Sequence, residues 1–171
     1  MSVPEVTTKQ SRLLTVNVND STGVPILPEG TTIFPLFLDR ENGVWVLYAK
    51  FKPGVTLPTH FHTGTVHFFT TKGVWNYVEH TEDPQTAGSY LYEPGGSVHT
   101  FSVPPDAKED AEGFMVVYGA NVNFENGEYH SILDAGAIEE LVLRAVRKGY
   151  TDAMPKYIRP SDGARYSTSD S

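Results

Sequence analysis

The stretch Pro58-Thr59-His60-Phe61-His62-Thr63-Gly64-Thr65-Val66-His67 holds three of the chain's six histidines. Residues two apart on a strand share a face, with Cα atoms roughly 6.5–7 Å apart. His60 and His62 are thereby able to aim two imidazoles at one point, as a chelated metal requires. The pair alone fits equally well on a solvated strand face. Working outward, Gly54 precedes His60 and Gly73 follows the cluster, and then come Gly88, Pro94-Gly95-Gly96 and His99. Together these read G-x5-H-x-H and G-x5-P-x-G-x2-H. Gly54 and Gly73 stand where strands end and a positive φ is useful. The Pro94-Gly95-Gly96 turn returns the chain so that His99 lies back across the sheet.

The remaining pattern is that of an all-β protein. Short apolar or alternating runs (Ile33–Leu38, Val44–Phe51, Thr65–Thr70, Val74–His80, Ser89–Tyr92, Val98–Val103, Phe114–Ala120) are separated by turn chemistry. Thr81–Thr86 and Pro104–Glu112 read as loops. Asn42-Gly43 and Asn126-Gly127 are hairpin signals. Ile138, Leu141, Val142 and Ala145 recur at helical spacing, with Asp134 placed to cap the start and Gly149 to end the helix. The expected organisation is a mobile arm over 1–12, a β-barrel over 13–133, and a C-terminal helix and tail over 134–171. The tail beyond Asp162 reads as frayed.

Composition removes whole classes of function. At 171 residues and 18.9 kDa the length suits one domain. The absence of cysteine excludes disulfides, thiolate nucleophiles and cysteine-ligated metals. A net charge of -8 and a pI near 5.1 give no basic footprint for nucleic acid or an anionic membrane. The longest apolar run, near Gly43 to Ala49, is strand-sized, and Met1 to Arg12 has no apolar core of a secretory signal. A cytoplasmic location is expected. No G-x-S-x-G elbow, phosphate-binding loop or dinucleotide fingerprint is present.

The two histidine motifs, with 14 residues between Gly73 and Gly88, resemble the signature motifs of the cupin superfamily at the spacing of its small members. The resemblance implies a jelly-roll double-stranded β-barrel in which His60, His62 and His99 ligate one divalent metal. Two places depart from the family pattern. Its first motif carries a glutamate five residues after the second histidine, where this chain has His67. Its second motif ends in asparagine, where this chain has Val103. Three completions of the metal sphere follow: His67 as a fourth nitrogen ligand, Glu79 reaching in from the next strand, or water. Three neutral imidazoles alone would leave a divalent ion its full charge, which favours an anionic chelating ligand such as an enolate.

His62 to His67, Gly73-Val74-Trp75-Asn76-Tyr77-Val78-Glu79-His80 and Ala87 to Pro94 narrow the likeness. They resemble small cupins related to 2,4'-dihydroxyacetophenone dioxygenase and, more distantly, the acetylacetone-cleaving dioxygenase. That resemblance implies nonhaem Fe(II), with Zn, Ni or Mn as alternatives. O₂ and a small enolisable ketone would be the substrates, with Glu79 or His67 managing protons or orienting a ligand. The alternatives are a cupin isomerase or other non-oxygen metalloenzyme, and a non-catalytic small-ligand binder. A homodimer or a tetramer of dimers is the expected assembly.

Overall fold

Turn residues cut the chain into short strands that close around one apolar core. The computed structural model describes residues 13–160 and 163–168, so the arm expected over 1–12 lies outside the described residues. The first strands are β1 (Val24–Ile26), β2 (Thr31–Asp39), β3 (Val44–Phe51), β4 (His60–His62), β5 (Val66–Lys72), β6 (Val74–Tyr77) and β7 (His80–Thr86). They are followed by β8 (Tyr90–Glu93), β9 (Phe101–Ser102), β10 (Ala111–Tyr118), β11 (Asn121–Glu125) and β12 (Glu128–Leu133). The helix α1 (Ala135–Arg147) precedes β13 (Ile158–Arg159) and β14 (Arg165–Tyr166). The large sheet runs β14-β13-β2-β3-β10-β5-β8, with β1 beside β2. Two three-stranded sheets, β12-β11-β4 and β7-β6-β9, complete the jelly roll. Neighbours are antiparallel except β13 and β2.

Alternation places the core. On β3, Trp45, Leu47, Ala49 and Phe51 point inward; on β5, Val66, Phe68 and Thr70 do. Trp75, Phe101, Val103 and Val117 join them from the other strands. The departure at Val103 is thus an apolar core position, fully buried. Gly73 permits a close crossing: its φ is +71, and a Cβ there would lie 2.3 Å from the Asp110 carbonyl oxygen.

The helix begins and ends as its caps predict. Asp134 Oδ1 accepts from the Ala137 amide at 2.8 Å, and Gly149 takes φ +69 just past the last turn. Its Ile138, Val142 and Ala145 are buried, and so is Glu139. The Glu139 carboxylate accepts from Tyr157 Oη at 2.8 Å and lies 3.1 Å from Arg40 and 3.3 Å from Arg159, tying the C-terminal strands to the helix.

Two sequence expectations need correction. The run Val74–His80 is not one strand: β6 stops at Tyr77, and the polar segment expected to be a loop is β7. β7 is largely exposed at a sheet edge, so no apolar alternation marks it. The tail is ordered over 163–168, where β14 pairs with β13. Ser167 Oγ donates to the Pro155 carbonyl at 2.7 Å and accepts from the Tyr157 amide at 3.0 Å. Side-chain to backbone bonds of this kind leave no hydrophobic pattern to read.

Candidate metal centre

β4 is three residues long, and His60 and His62 occupy its ends with both rings turned inward. The His60 amide donates to the His99 carbonyl at 3.0 Å, and the His99 amide returns the bond at 2.9 Å. This reciprocal bridge sets His99 directly against the pair. The three rings are only 3–5% exposed, and one ligand nitrogen from each lies within 4.8 Å of the others. His60 Nδ1 sits 2.8 Å from the Pro58 carbonyl, which fixes Nδ1 as the protonated nitrogen and leaves Nε2 for the site.

A buried carboxylate joins the three rings. Glu93, the last residue of β8, faces inward in register with Val66. Its Oε2 is 3.1 Å from His62 Nε2 and 3.3 Å from His99 Nε2. Neither Glu93 Oε2 nor His99 Nε2 has a hydrogen-bond partner, although both are buried; His62 Nδ1 is likewise unpartnered. Unpaired buried polar atoms cost free energy, roughly 1–3 kcal/mol each. The ligand nitrogens of His60, His62 and His99 fit a divalent metal, which would give the unpartnered His99 Nε2 a partner.

Burial pushes the His60 imidazole down to about 4, and burial also lowers His99, so both rings are neutral ligands at pH 7. Burial alone would raise Glu93, but the nearby His62 and His99 and the Tyr77 hydroxyl together hold its carboxyl below the usual range. Tyr77 donates its hydroxyl to Glu93 Oε1, and its ring packs against His99 at a tilt of 32°, with centroids 4.3 Å apart. Beside Glu93 and His99 opens a cavity of about 330 Å³, walled by Tyr77, Leu91, Tyr92, Pro94 and Val98 and edged by His80 and Asp83. Among the described residues no lysine or arginine lines it.

The two sequence candidates for completing the sphere stand elsewhere. His67 follows Val66 on β5 and so projects from the opposite face, where Nδ1 lies 2.8 Å from Tyr90 Oη among Tyr92 and Tyr118. Glu79 lies in the turn after β6, where strand alternation has ended. It is exposed, and it accepts from the Thr100 amide at 2.9 Å and the Thr100 hydroxyl at 2.8 Å. It thus steadies the backbone next to His99 without reaching the three rings. His130 is exposed beside Glu125 at 3.3 Å. With Glu93 present, the charge argument changes too: one carboxylate would cancel one unit of a divalent ion's charge. Sequence reading passed over Glu93, although Leu91 at an inward position puts Glu93, two residues on, on the same face.

A family model described as a ChrR cupin-like domain matches residues 11–123. A Ralstonia eutropha JMP134 protein of unknown function with a cupin-like fold is 46% identical, with 90% of this chain and 96% of that one covered and a TM-score of 0.82. An RmlC-like cupin from the same organism is 24% identical over 80% and 88% of the two chains, TM-score 0.74. An acetylacetone dioxygenase from Acinetobacter johnsonii is 18% identical over 84% and 99%, TM-score 0.67, a likeness of fold. No curated protein matches the chain.

Proposed function

Since the chain belongs to the cupin family, we propose that it is a metal-dependent dioxygenase, using nonhaem Fe(II) held by His60, His62 and His99 with Glu93 beside them. The substrate would be a small enolisable ketone or hydroxyketone cleaved beside its carbonyl. The observation that carries this reading is the pair of buried, unpartnered donor atoms, His99 Nε2 and Glu93 Oε2, converging with His62 beside a cavity. The fold shared with an acetylacetone dioxygenase supports the reaction class.

A bound Fe(II) would supply a Lewis acid for the enolate and the electrons that engage O₂. The protein's part is positional. His60 and His62 sit on β4, Glu93 ends β8, and His99 is tied to His60 by the reciprocal amide bridge, so the protein would present the three rings and the carboxylate to the ion in fixed places. Tyr77 and Leu91 give the cavity an apolar wall beside the site. The lack of a cationic side chain in the wall, together with Asp83 at its edge, disfavours a substrate with its own carboxylate. For a β-diketone the balance is simple: one C–C bond breaks, both atoms of O₂ enter the products, and a carboxylic acid and an α-oxoaldehyde result. Glu79 acts as a positioning residue through Thr100, and His67 belongs to the outer face.

That outer face also suits the expected homodimer. Phe69, Tyr90, Tyr92, Phe114 and Tyr118 are each about half exposed there and adjacent across β8, β5 and β10. Half-exposed aromatics leave on the order of 100 Å² each, so the five offer roughly 500 Å² of the about 800 Å² per partner in a standard interface. A second copy of the chain is the occupant this uncharged patch fits, given that two copies at -8 repel elsewhere.

Anaerobically purified, iron-supplemented protein should carry near-stoichiometric iron and consume O₂ with diketones or hydroxyacetophenones. Zinc, nickel or manganese in place of iron, with no O₂ uptake, would favour an isomerase. Protein that takes up no metal would leave a small-ligand binder.

A further inference from the structure

β11 lies beside β4, with Asn121 opposite His62 and Asn123 opposite His60. Residues directly opposite across a ladder share a face, so both asparagines turn toward the same interior as the two imidazoles. The Thr63 amide donates to the Ala120 carbonyl at 2.9 Å, and the Phe124 amide to the Thr59 carbonyl at 2.8 Å. The ladder bonds thus fall on flanking positions. Asn121 and His62 form a non-hydrogen-bonded pair, the kind with Cα atoms only about 4.5 Å apart and side chains closest. One step along, the polar atoms are taken: Asn123 Nδ2 donates to Ser131 Oγ at 3.2 Å, and His60 Nδ1 lies 2.8 Å from the Pro58 carbonyl. At Asn121 and His62 they are not. Both residues are buried, and Asn121 Oδ1 and His62 Nδ1 have no hydrogen-bond partner.

Each of these atoms stands two covalent bonds from its own Cβ, and the Cβ atoms of such a pair are about 4.5–5.5 Å apart, so a rotation of the Asn121 amide brings it onto Nδ1. His62 Nε2 points the other way, 3.1 Å from Glu93 Oε2. An imidazole with its proton on Nε2 needs a donor at Nδ1, whereas one that gives its Nε2 lone pair to an ion needs an acceptor there. A carboxamide has both, an N–H donor and a carbonyl acceptor on one carbon, and exchanges them by turning over. We propose that Asn121 is a positioning residue that holds the His62 ring at Nδ1 in both states, as the Pro58 carbonyl holds the His60 ring. The inference rests on His62 belonging to the metal centre, and nothing in the histidine motifs points to Asn121.

Zinc affinity and the imidazole nitrogen spectrum test it, and neither needs turnover. Asn121→Leu keeps the volume and removes donor and acceptor together; Asn121→Asp keeps the shape and leaves only an acceptor. Circular dichroism would verify the fold of each. Zinc affinity, measured by competition with a chromogenic chelator, should fall about 10–100-fold in Asn121→Leu and stay within about threefold of wild type in Asn121→Asp. A side chain that only filled space would give the reverse order, because leucine packs there without loss and a buried carboxylate does not. In metal-free protein carrying 15N-labelled histidine, at pH 8, Asn121→Asp should place the His62 proton on Nδ1, where wild type carries it on Nε2. Asn121→Leu that binds zinc as tightly as wild type would overturn the inference and leave the metal centre intact. So would an Asn121→Asp spectrum in which Nδ1 stays bare. Should Asn121→Asp fail to fold, Asn121→Leu carries the test alone. Wild-type protein that takes up no zinc would overturn the metal reading, and the nitrogen spectrum of Asn121→Asp would then decide by itself whether Asn121 holds the ring.

Discussion

Replacing Glu93 with Gln removes one charge and almost no volume, and the metal reading gives that change opposite signs in two states of the protein. Without metal, no ion offsets the buried carboxylate's charge. Glu93 then rests on the Tyr77 bond alone, with Oε2 buried and unpartnered. Removing such a charge should stabilise the metal-free protein by about 1–2 kcal/mol. For 171 residues that is a rise of roughly 3–6 °C in Tm. With metal, the same change removes the carboxylate beside His62 and His99, and loss of such a group weakens affinity by about 10–100-fold. At saturating metal this reduces the stabilisation by about 1.4–2.7 kcal/mol, so the metal-induced rise in Tm should shrink by roughly 4–8 °C. Thermal scans of both proteins with chelator and with excess Fe(II) or Zn(II), under anaerobic conditions, give all four values. A lower metal-free Tm for Glu93→Gln together with an undiminished metal-induced rise would refute the reasoning. Glu93 would then be a structural ion-pair partner of His62 and His99.

His99→Ala should abolish stoichiometric metal and turnover together, as measured by elemental analysis and O₂ uptake; iron retained at full occupancy would sink the ligand assignment. Phe69→Lys combined with Tyr90→Lys should convert a dimer to a monomer in sedimentation velocity, with circular dichroism unchanged, because lysines placed on the aromatic face make two copies repel. A dimer that persists would move the interface elsewhere. Glu112 gives the pH test. Burial raises its carboxyl, but the Tyr48 bond, Lys50 and Lys72 outweigh that and hold it below the usual range. A depressed folded value means the unfolded chain binds the proton more tightly. The contribution is complete above the unfolded carboxyl range and is lost as pH falls through the folded value. Tm of the wild type should therefore fall more steeply than that of Glu112→Gln on acidification below about pH 4.5, and parallel acid limbs would contradict this.

The resemblance carried by the motif spacing pointed to the cupin fold, to the inward pair His60 and His62, and to the return of His99 to them. Glycines and prolines at fixed offsets dictate where strands end, and strand alternation dictates facing. Asp134 and Gly149 likewise bounded the helix, since capping is a local interaction. The carboxylate was a different matter. Glu79 was the candidate because it stood on a strand-like run, yet the turn at Val78 ends the alternation and hands Glu79 to Thr100. His67 kept the alternation and was carried outward by it. Glu93 reaches the site only because β8 pairs with β5 in a register that sets it beside Val66, and because His99 is folded back against His60. Local sequence carries period and turn, which fix direction along a strand. Which strands lie side by side, and at what register, is decided by closing the barrel around Trp45, Phe68, Trp75 and Phe101, and the partners of Glu93 exist only after that closure.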